Sequence, residues 1–387
     1  MEAYLDNAAT TPVFPEVKEI MGKVMEEDFG NPSSRHTKGI VAEQYIKEAA
    51  EIIAERLKCQ PKEIIFTSGG TESNNMALIG TALANQRAGK HIITTRIEHA
   101  SVHEPLAYLE EMGYEVTYLP VDSTGRVSAE SVKQALREDT VLVSVIFVNN
   151  EIGSAAPIAK IGEMLHREKT DLFFHVDAIQ AFGKYKIVPK RLGIDLMSVS
   201  GHKIHGAKGT GFLYVRDGVK IRPILFGGGQ QRGMRSGTEN VPGIAGLGVA
   251  VKKIYQDHTE KTETLYQLKK RLIEGLQQYE GVTVHGIDGV SLEETAPHIV
   301  SVGFASVKSE VMLHALAQEG VFVSSGSACS SNHPELSGTL QAIGVQEDLL
   351  DATLRFSFSV LTTKEQISHA VEAVGKVLPV LRRFTRR

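Results

Sequence analysis

Asp171-Leu172-Phe173-Phe174-His175-Val176-Asp177 and Asp195-Leu196-Met197-Ser198-Val199 are two apolar runs of strand length, and the second leads directly into Ser200-Gly201-His202-Lys203. Short, nearly continuous apolar runs predict strands buried on both faces, the mark of a parallel sheet. Such a sheet presents its working residues just beyond the carboxyl ends of its strands. Asp177 and Lys203 are therefore expected close together on one edge.

The pattern repeats on both sides of this pair. Strands are expected at 63–67, 91–95, 116–119, 141–148 and 211–215, which with the first two makes seven. Helical periodicity separates most of them, at 39–57, 71–86, 101–112, 129–136 and 158–166. Alternation of this kind predicts an α/β fold: a large domain with a mostly parallel seven-stranded sheet flanked by helices. Beyond Pro242 the rhythm changes. One or two long helices span 244–279, and short strands at 282–285, 298–302, 321–324 and 353–358 mix with helices at 308–318 and 364–381. This predicts a smaller α+β domain. The expected division is 15–250 for the large domain and 1–14 with 251–387 for the small one. Residues 1–15 form a turn-rich opening in which Pro12 and Pro15 end any regular element.

Composition narrows the function classes. The chain has 387 residues and a net charge of −4, with its lysines and arginines scattered apart from the Arg382-Arg383 and Arg386-Arg387 tail, which argues against nucleic-acid binding. The longest apolar run, at 141–148, is far too short to span a bilayer. The N-terminus lacks the basic and apolar regions of a signal peptide. Two cysteines, Cys59 and Cys329, cannot form a disulfide framework. No membrane association and a reducing, cytoplasmic location are expected.

Several residues stand where chemistry would be done. A lysine that can lose its proton in a closed site, faced by a carboxylate, is the equipment for pyridoxal phosphate: Lys203 forms the Schiff base and Asp177 pairs with the protonated pyridine nitrogen. Taken alone, the two also fit a solvated lysine and a strand-end cap. Ser68-Gly69-Gly70-Thr71-Glu72-Ser73 joins a strand to a helix and offers free N–H groups to a phosphate, with Ser200 and His202 as further donors. A plain glycine-rich turn reads the same way. His99 follows a strand end and is able to stack on a flat cofactor. Asn149-Asn150-Glu151 follows another, and Gln180 is close enough to Asp177 to reach the same ring. His202 and His205 have a spacing that suits a metal, but no third ligand is placed, so no metal site is expected. Gly227 through Thr238 is rich in glycine and arginine, as in a loop that binds an anion or crosses an interface. Cys329 lies among small polar residues in Ser324-Ser325-Gly326-Ser327-Ala328-Cys329, the setting of an exposed, usable thiol, whereas Cys59 reads as structural. Arg355 is a charge inside a strand-like run, as in an ion pair or a bidentate carboxylate clamp.

These segments together resemble the NifS/IscS-like cysteine desulfurases within the class V (fold type I) aminotransferases. The likeness covers essentially the whole chain. Its motifs include Tyr4-Leu5-Asp6-Asn7-Ala8-Ala9-Thr10-Thr11-Pro12, Gly30-Asn31-Pro32-Ser33-Ser34, Val148-Asn149-Asn150-Glu151-Ile152-Gly153, His175-Val176-Asp177-Ala178-Ile179-Gln180, Ser198-Val199-Ser200-Gly201-His202-Lys203 and Arg232-Gly233-Met234-Arg235-Ser236-Gly237-Thr238. The Ser-Ser-Gly-Ser-Ala-Cys form is similar to the group with a long cysteine loop rather than to the SufS-like group.

The resemblance implies roles. Lys203 binds pyridoxal phosphate and shuttles protons, Asp177 pairs its ring nitrogen, His99 stacks on the ring and serves in acid–base steps, and Gln180 faces the ring hydroxyl. Gly70, Thr71, Ser200 and His202 hold the phosphate, joined by Thr238 from the other subunit of a homodimer. Arg355 and Asn150 grip the carboxylate of L-cysteine, Asn150 also standing beside the cofactor. Cys329 takes the sulfur as a persulfide, alanine leaves, and a sulfur-acceptor protein receives the sulfur for iron–sulfur cluster assembly, tRNA thiolation or another sulfur-containing cofactor. The chain departs from the family after Arg355, where Phe356-Ser357-Phe358-Ser359 replaces the usual Leu-Gly-Arg, and at its short C-terminal end, which leaves the acceptor open. The rival readings are another enzyme of the same fold, either a selenocysteine lyase, which would act on L-cysteine poorly, or an aminotransferase, which would not need Cys329, and a non-catalytic sulfur-relay or scaffold protein, which predicts loss of Lys203 or Asp177, both present here.

Overall fold

A computed structural model describes residues 1–169, 171–325 and 336–385. In chain order the strands are β1 (Ala3–Tyr4), β2 (Ile64–Thr67), β3 (His91–Thr95), β4 (Glu115–Leu119), β5 (Thr140–Ile146), β6 (Phe173–Asp177), β7 (Leu196–Ser200), β8 (Gly211–Val215), β9 (Val282–His285), β10 (Ile299–Phe304), β11 (Val321–Phe322), β12 (Ser324–Ser325) and β13 (Thr353–Ser357). The central sheet has seven strands in the order β2-β8-β7-β6-β5-β3-β4. Its β7-β6-β5-β3-β4 run is parallel, and β8 is antiparallel to both β7 and β2. This is the mostly parallel α/β sheet that the apolar runs predict.

Burial explains why those runs carry no alternation. Every residue of β2, β3, β5, β7 and β8 is buried, because helices cover both faces. On one face, Phe66, Val143, Phe174, Val176 and Phe212 join a core with helix Val241–Tyr255; on the other, Leu78, Ile92, Leu106 and Leu213 form a separate core. Another core gathers helix His258–Gln277, β10, β13 and the last helix, Lys364–Thr385. Ala3 and Leu5 at the N-terminus belong to it, since β1 pairs in parallel with β11. A four-stranded antiparallel sheet, β12-β13-β10-β9, lies within this part.

Several boundaries differ from expectation, each for a local reason. Pro15 does not end an element; it opens helix Pro15–Glu26 at its first position, where a missing N–H costs nothing. The run 141–148 leaves the sheet after Ile146, as the Phe147 N–H bonds to the Asp177 carbonyl and Val148 bridges to Ala155. The stretch 244–279 is two helices, parted where Asp257 takes the left-handed conformation at φ 50°. The stretch 321–324 is two strands: β11 pairs with β1, and β12 with β13, so Val323 marks a change of sheet.

The central sheet also buries a titratable group that ties stability to pH. His175 on β6 is fully buried, with Nδ1 2.8 Å from Ser144 Oγ on β5 and Nε2 3.0 Å from Ser198 Oγ on β7. Burial lowers its pKa from 6.5 to about 3. The folded pKa lies below the unfolded one, so the neutral ring supports folding above pH 6.5, and that support fades as pH falls towards 3. Over that window this one residue should cost up to about 1.4 kcal/mol per pH unit. His175→Gln, which keeps hydrogen-bonding groups but does not titrate, should be less stable at pH 7.5 yet lose stability less steeply between pH 6.5 and 4.5. Urea midpoints measured across that range decide it; parallel pH slopes in the two proteins would be the contrary result.

Candidate active site

The carboxyl ends of β5, β6 and β7 converge on one cavity of about 440 Å³. Asp177 is the last residue of β6, and β7 ends on Ser200 before the single helical turn Gly201–Lys203. The β2 end leads to helix Gly70–Asn85, the β3 end to His99 at the start of helix Ala100–Glu111, and the β5 end to Asn150. The small sheet adds Arg355 from β13 and Ser324 from β12, and the N-terminal segment adds Asp6, Ala8 and Ala9. Ten of the residues singled out in the sequence line this one cavity: Gly70, Thr71, His99, Asn150, Asp177, Gln180, Ser200, His202, Lys203 and Arg355. Thr238 is exposed and lies off the cavity wall, and Cys329 lies outside the described residues.

Asp177 is buried without being left bare. Its Oδ1 accepts from the Ile179 N–H at 2.9 Å and its Oδ2 from Asn74 Nδ2 at 2.9 Å. Burial raises its pKa, while these two bonds and the nearby His99 and Lys203 pull it back down. His99 is held through Nδ1, which accepts the Ser101 N–H at 3.0 Å; the neutral ring therefore carries its proton on Nε2. Burial lowers the His99 pKa, with Asp177 opposing and Lys203 assisting. Lys203 Nζ donates to the carbonyls of Ala8 at 2.6 Å and Ala9 at 2.7 Å. Behind it the buried Lys184 donates to the Lys203 carbonyl at 2.7 Å, and desolvation drops its pKa to about 7.

At the mouth of helix Gly70–Asn85 the backbone comes close to its neighbours. A Cβ on Gly70 would sit 2.2 Å from Ile179 Cδ1, and Gly69 takes φ +149°, a conformation side chains rarely adopt. Thr71, Ser200 and His202 stand beside this N-terminus, which is how a phosphate is received. His202 is kept neutral, its pKa lowered to about 4 chiefly by burial. His205 does not join it as a ligand pair: its Nδ1 lies 2.7 Å from the Pro12 carbonyl oxygen, and its ring stacks on Phe14. A buried carboxylate for a ring nitrogen, a lysine on the cavity wall and an anion cradle at a helix start together fit pyridoxal phosphate.

Arg355 is held more specifically than the sequence suggests. Its Nη1 donates to the Asn150 backbone carbonyl at 2.9 Å and its Nη2 to Asp6 Oδ1 at 2.9 Å. Asp6 is thus a cavity residue that sequence reasoning missed, as is Ser101; Asn74, missed too, stands off the lining and reaches the site through Asp177. Glu98, also missed, is buried next to His99, accepting from the Thr95 hydroxyl and the Ile146 N–H, and burial lifts its pKa to about 8. Glu151 accepts hydroxyl bonds from Ser337 and from Thr339, which begin helix Gly338–Ala342. Cys59 is far from this chemistry, its thiol pushed up to about 12 by burial and by Glu63.

The same architecture and sequence recur in known proteins. A protein from Methanosarcina thermophila named cysteine desulfurase IscS is 44% identical over 382 residues, covering 99% of this chain and 93% of that protein. A solved structure described as a NifS-like protein superposes with a TM-score of 0.92 at 36% identity, covering 98% of this chain and 100% of that one. Another, described as SspA in complex with cysteine, gives a TM-score of 0.79 at 35% identity over 93% of this chain and 100% of that one. The family model for class-V aminotransferases matches residues 3–369, and the chain belongs to that family.

Proposed function

We infer that this protein is a pyridoxal-phosphate-dependent cysteine desulfurase that converts L-cysteine to L-alanine and passes the sulfur on through Cys329. The observation that carries the reading is the single cavity in which Lys203, Asp177, His99 and Arg355 meet, in a chain whose full-length relatives bear the desulfurase name.

When bound, pyridoxal phosphate supplies an electron sink for the pair left behind as the substrate's α-proton departs. Asp177 would keep a proton on the ring nitrogen, its two fixed hydrogen bonds favouring the carboxylate form that role needs. Gly70, Thr71, Ser200 and His202 would receive the phosphate, and His99 would cover the ring with its proton on Nε2. Lys203 would hold the cofactor through Nζ and would move the α-proton at that nitrogen. Arg355 and Asn150 orient the substrate by its carboxylate, with Arg355 already fixed in direction by Asp6. The Cys329 thiolate attacks the substrate sulfur and forms the S–S bond. The C–S bond breaks with its electron pair left on carbon, which is protonated and leaves as alanine.

Thr238 is exposed and off this chain's own cavity, which supports its reaching the site of a second copy in a homodimer. Arg235 ties that loop to the phosphate-side helix through Glu72, with Nε 2.7 Å from Oε1. We assign the persulfide sulfur to an acceptor protein in the cytoplasm, with iron–sulfur assembly and tRNA thiolation as the routes to compare.

Two experiments test this. Purified protein reconstituted with pyridoxal phosphate and given L-cysteine and a reductant should release alanine and sulfide in equal amounts. Cys329→Ser should lose sulfide release, and Lys203→Ala should lose the visible absorbance of the lysine-linked cofactor. Normal turnover by Cys329→Ser would remove the persulfide step and turn attention to a lyase or transaminase. Arg355→Leu should lower kcat/KM for L-cysteine by about two orders of magnitude or more, the usual cost of deleting one partner of a buried charge pair. A change of less than about threefold would take the carboxylate away from Arg355.

A further inference from the structure

A histidine outside the cavity stands directly behind one of its walls. His298 precedes β10 and is buried, only 1% exposed. Its Nε2 lies 3.2 Å from Gln180 Oε1, and the Gln180 Nε2 donates at 2.9 Å to the Ala8 carbonyl, which Lys203 Nζ also meets. The direction of this chain is forced. A backbone carbonyl only accepts, so the NH2 group of Gln180 must face Ala8 and its oxygen must face His298. That oxygen also only accepts, so His298 must carry its proton on Nε2. Its Nδ1 is buried with no hydrogen-bond partner among the described residues, where a lone pair is cheaper to leave than an N–H. Burial first, and then Lys184, Lys269, Arg355 and Lys203, oppose a positive charge there, so the ring stays neutral and donates through Nε2 alone.

We propose that His298 is a positioning residue that locks the Gln180 amide with its NH2 group, and not its carbonyl, turned towards the ring oxygen of the cofactor. The proposal rests on the pyridoxal-phosphate reading above. With one Gln180 N–H on Ala8, the second is free to donate into the cavity that Gln180 lines. A donor at the ring oxygen favours its anionic form and loosens the proton shared with the Lys203-linked nitrogen. Without His298 the Ala8 carbonyl alone holds the amide, and a turn about that one bond takes the second N–H away from the ring oxygen.

The test is the pH titration of the lysine-linked absorbance. His298→Leu should raise its midpoint by about one pH unit, a tenfold change in the protonation equilibrium. His298→Gln, whose terminal NH2 can replace the Nε2 donor, should restore the wild-type midpoint. Gln180→Ala should raise the midpoint as well, and adding His298→Leu to it should change nothing further, since the one acts through the other. An unmoved midpoint in His298→Leu, or additive shifts in the double variant, would overturn the proposal. A wild-type protein without lysine-linked absorbance would instead fault the desulfurase reading. NMR of the purified protein labelled with 15N-histidine gives a cofactor-independent check: His298 should be neutral with its proton on Nε2 at pH 7, and a proton on Nδ1 would refute the locked orientation even if every variant misfolds.

Discussion

A carboxylate taken out of water must be given hydrogen bonds or a cation, and Asp177 is the group on which the site depends for that reason. The sheet places it at the end of β6, fully enclosed. Asn74 reaches it from helix Gly70–Asn85, and the Ile179 N–H closes on it from the turn that follows. Each of these partners also belongs to something else. Asn74 bonds to Ser101, which fixes His99; Ile179 packs against Gly70, the first residue of the phosphate-side helix. Holding one charge therefore fixes Asn74, the His99 ring and the start of helix Gly70–Asn85 at once.

The other half of the site comes from elements that are distant in the chain. Arg355 sits in β13 between β10 and β12, opposite Ser301 and Ser324, so the small sheet fixes its backbone. Its guanidinium then reaches across to the Asn150 carbonyl and to Asp6. Asp6 is placed by the return of the N-terminus, through its bridge to Ser357. Glu151, next to Asn150, grips Ser337 and Thr339 at the start of helix Gly338–Ala342. The loop after β5 thus anchors Arg355 on one side and the start of helix Gly338–Ala342 on the other.

Much of this was legible in the sequence, and the division between what was and what was not has a physical cause. Buried parallel strands announce themselves by apolar runs, and their carboxyl ends by the polar residues that follow, so Asp177, Lys203, His99 and Asn150 could be placed on one edge. Gly70 and Thr71 were legible only through the family resemblance, since a plain glycine-rich turn between a strand and a helix reads the same way. Asp6, Asn74, Glu98 and His298 were not. Nothing in the spacing of Asp6 points to Arg355, since the two meet only after a parallel bridge closes across most of the chain. Asn74 and Glu98 look like ordinary polar residues until burial shows what they must satisfy. The misread strand at 321–324 has the same origin, because only its two different partners split it.

Direction, beyond proximity, is what the long-range contacts add. Lys203, Gln180 and His298 share a line of hydrogen bonds through the Ala8 carbonyl, and a carbonyl can only accept. That restriction sets which end of the Gln180 amide faces Ala8, and the His298 N–H on the amide oxygen holds the other end. It also explains why cations crowd around a neutral histidine without penalty: the ring is asked to donate one bond, and protonating it would add a charge among Lys184, Lys269 and Arg355 that no carboxylate there offsets among the described residues. The polarity of the inner wall is thus set by backbone carbonyls of the returning N-terminus, residues whose side chains are only methyl groups.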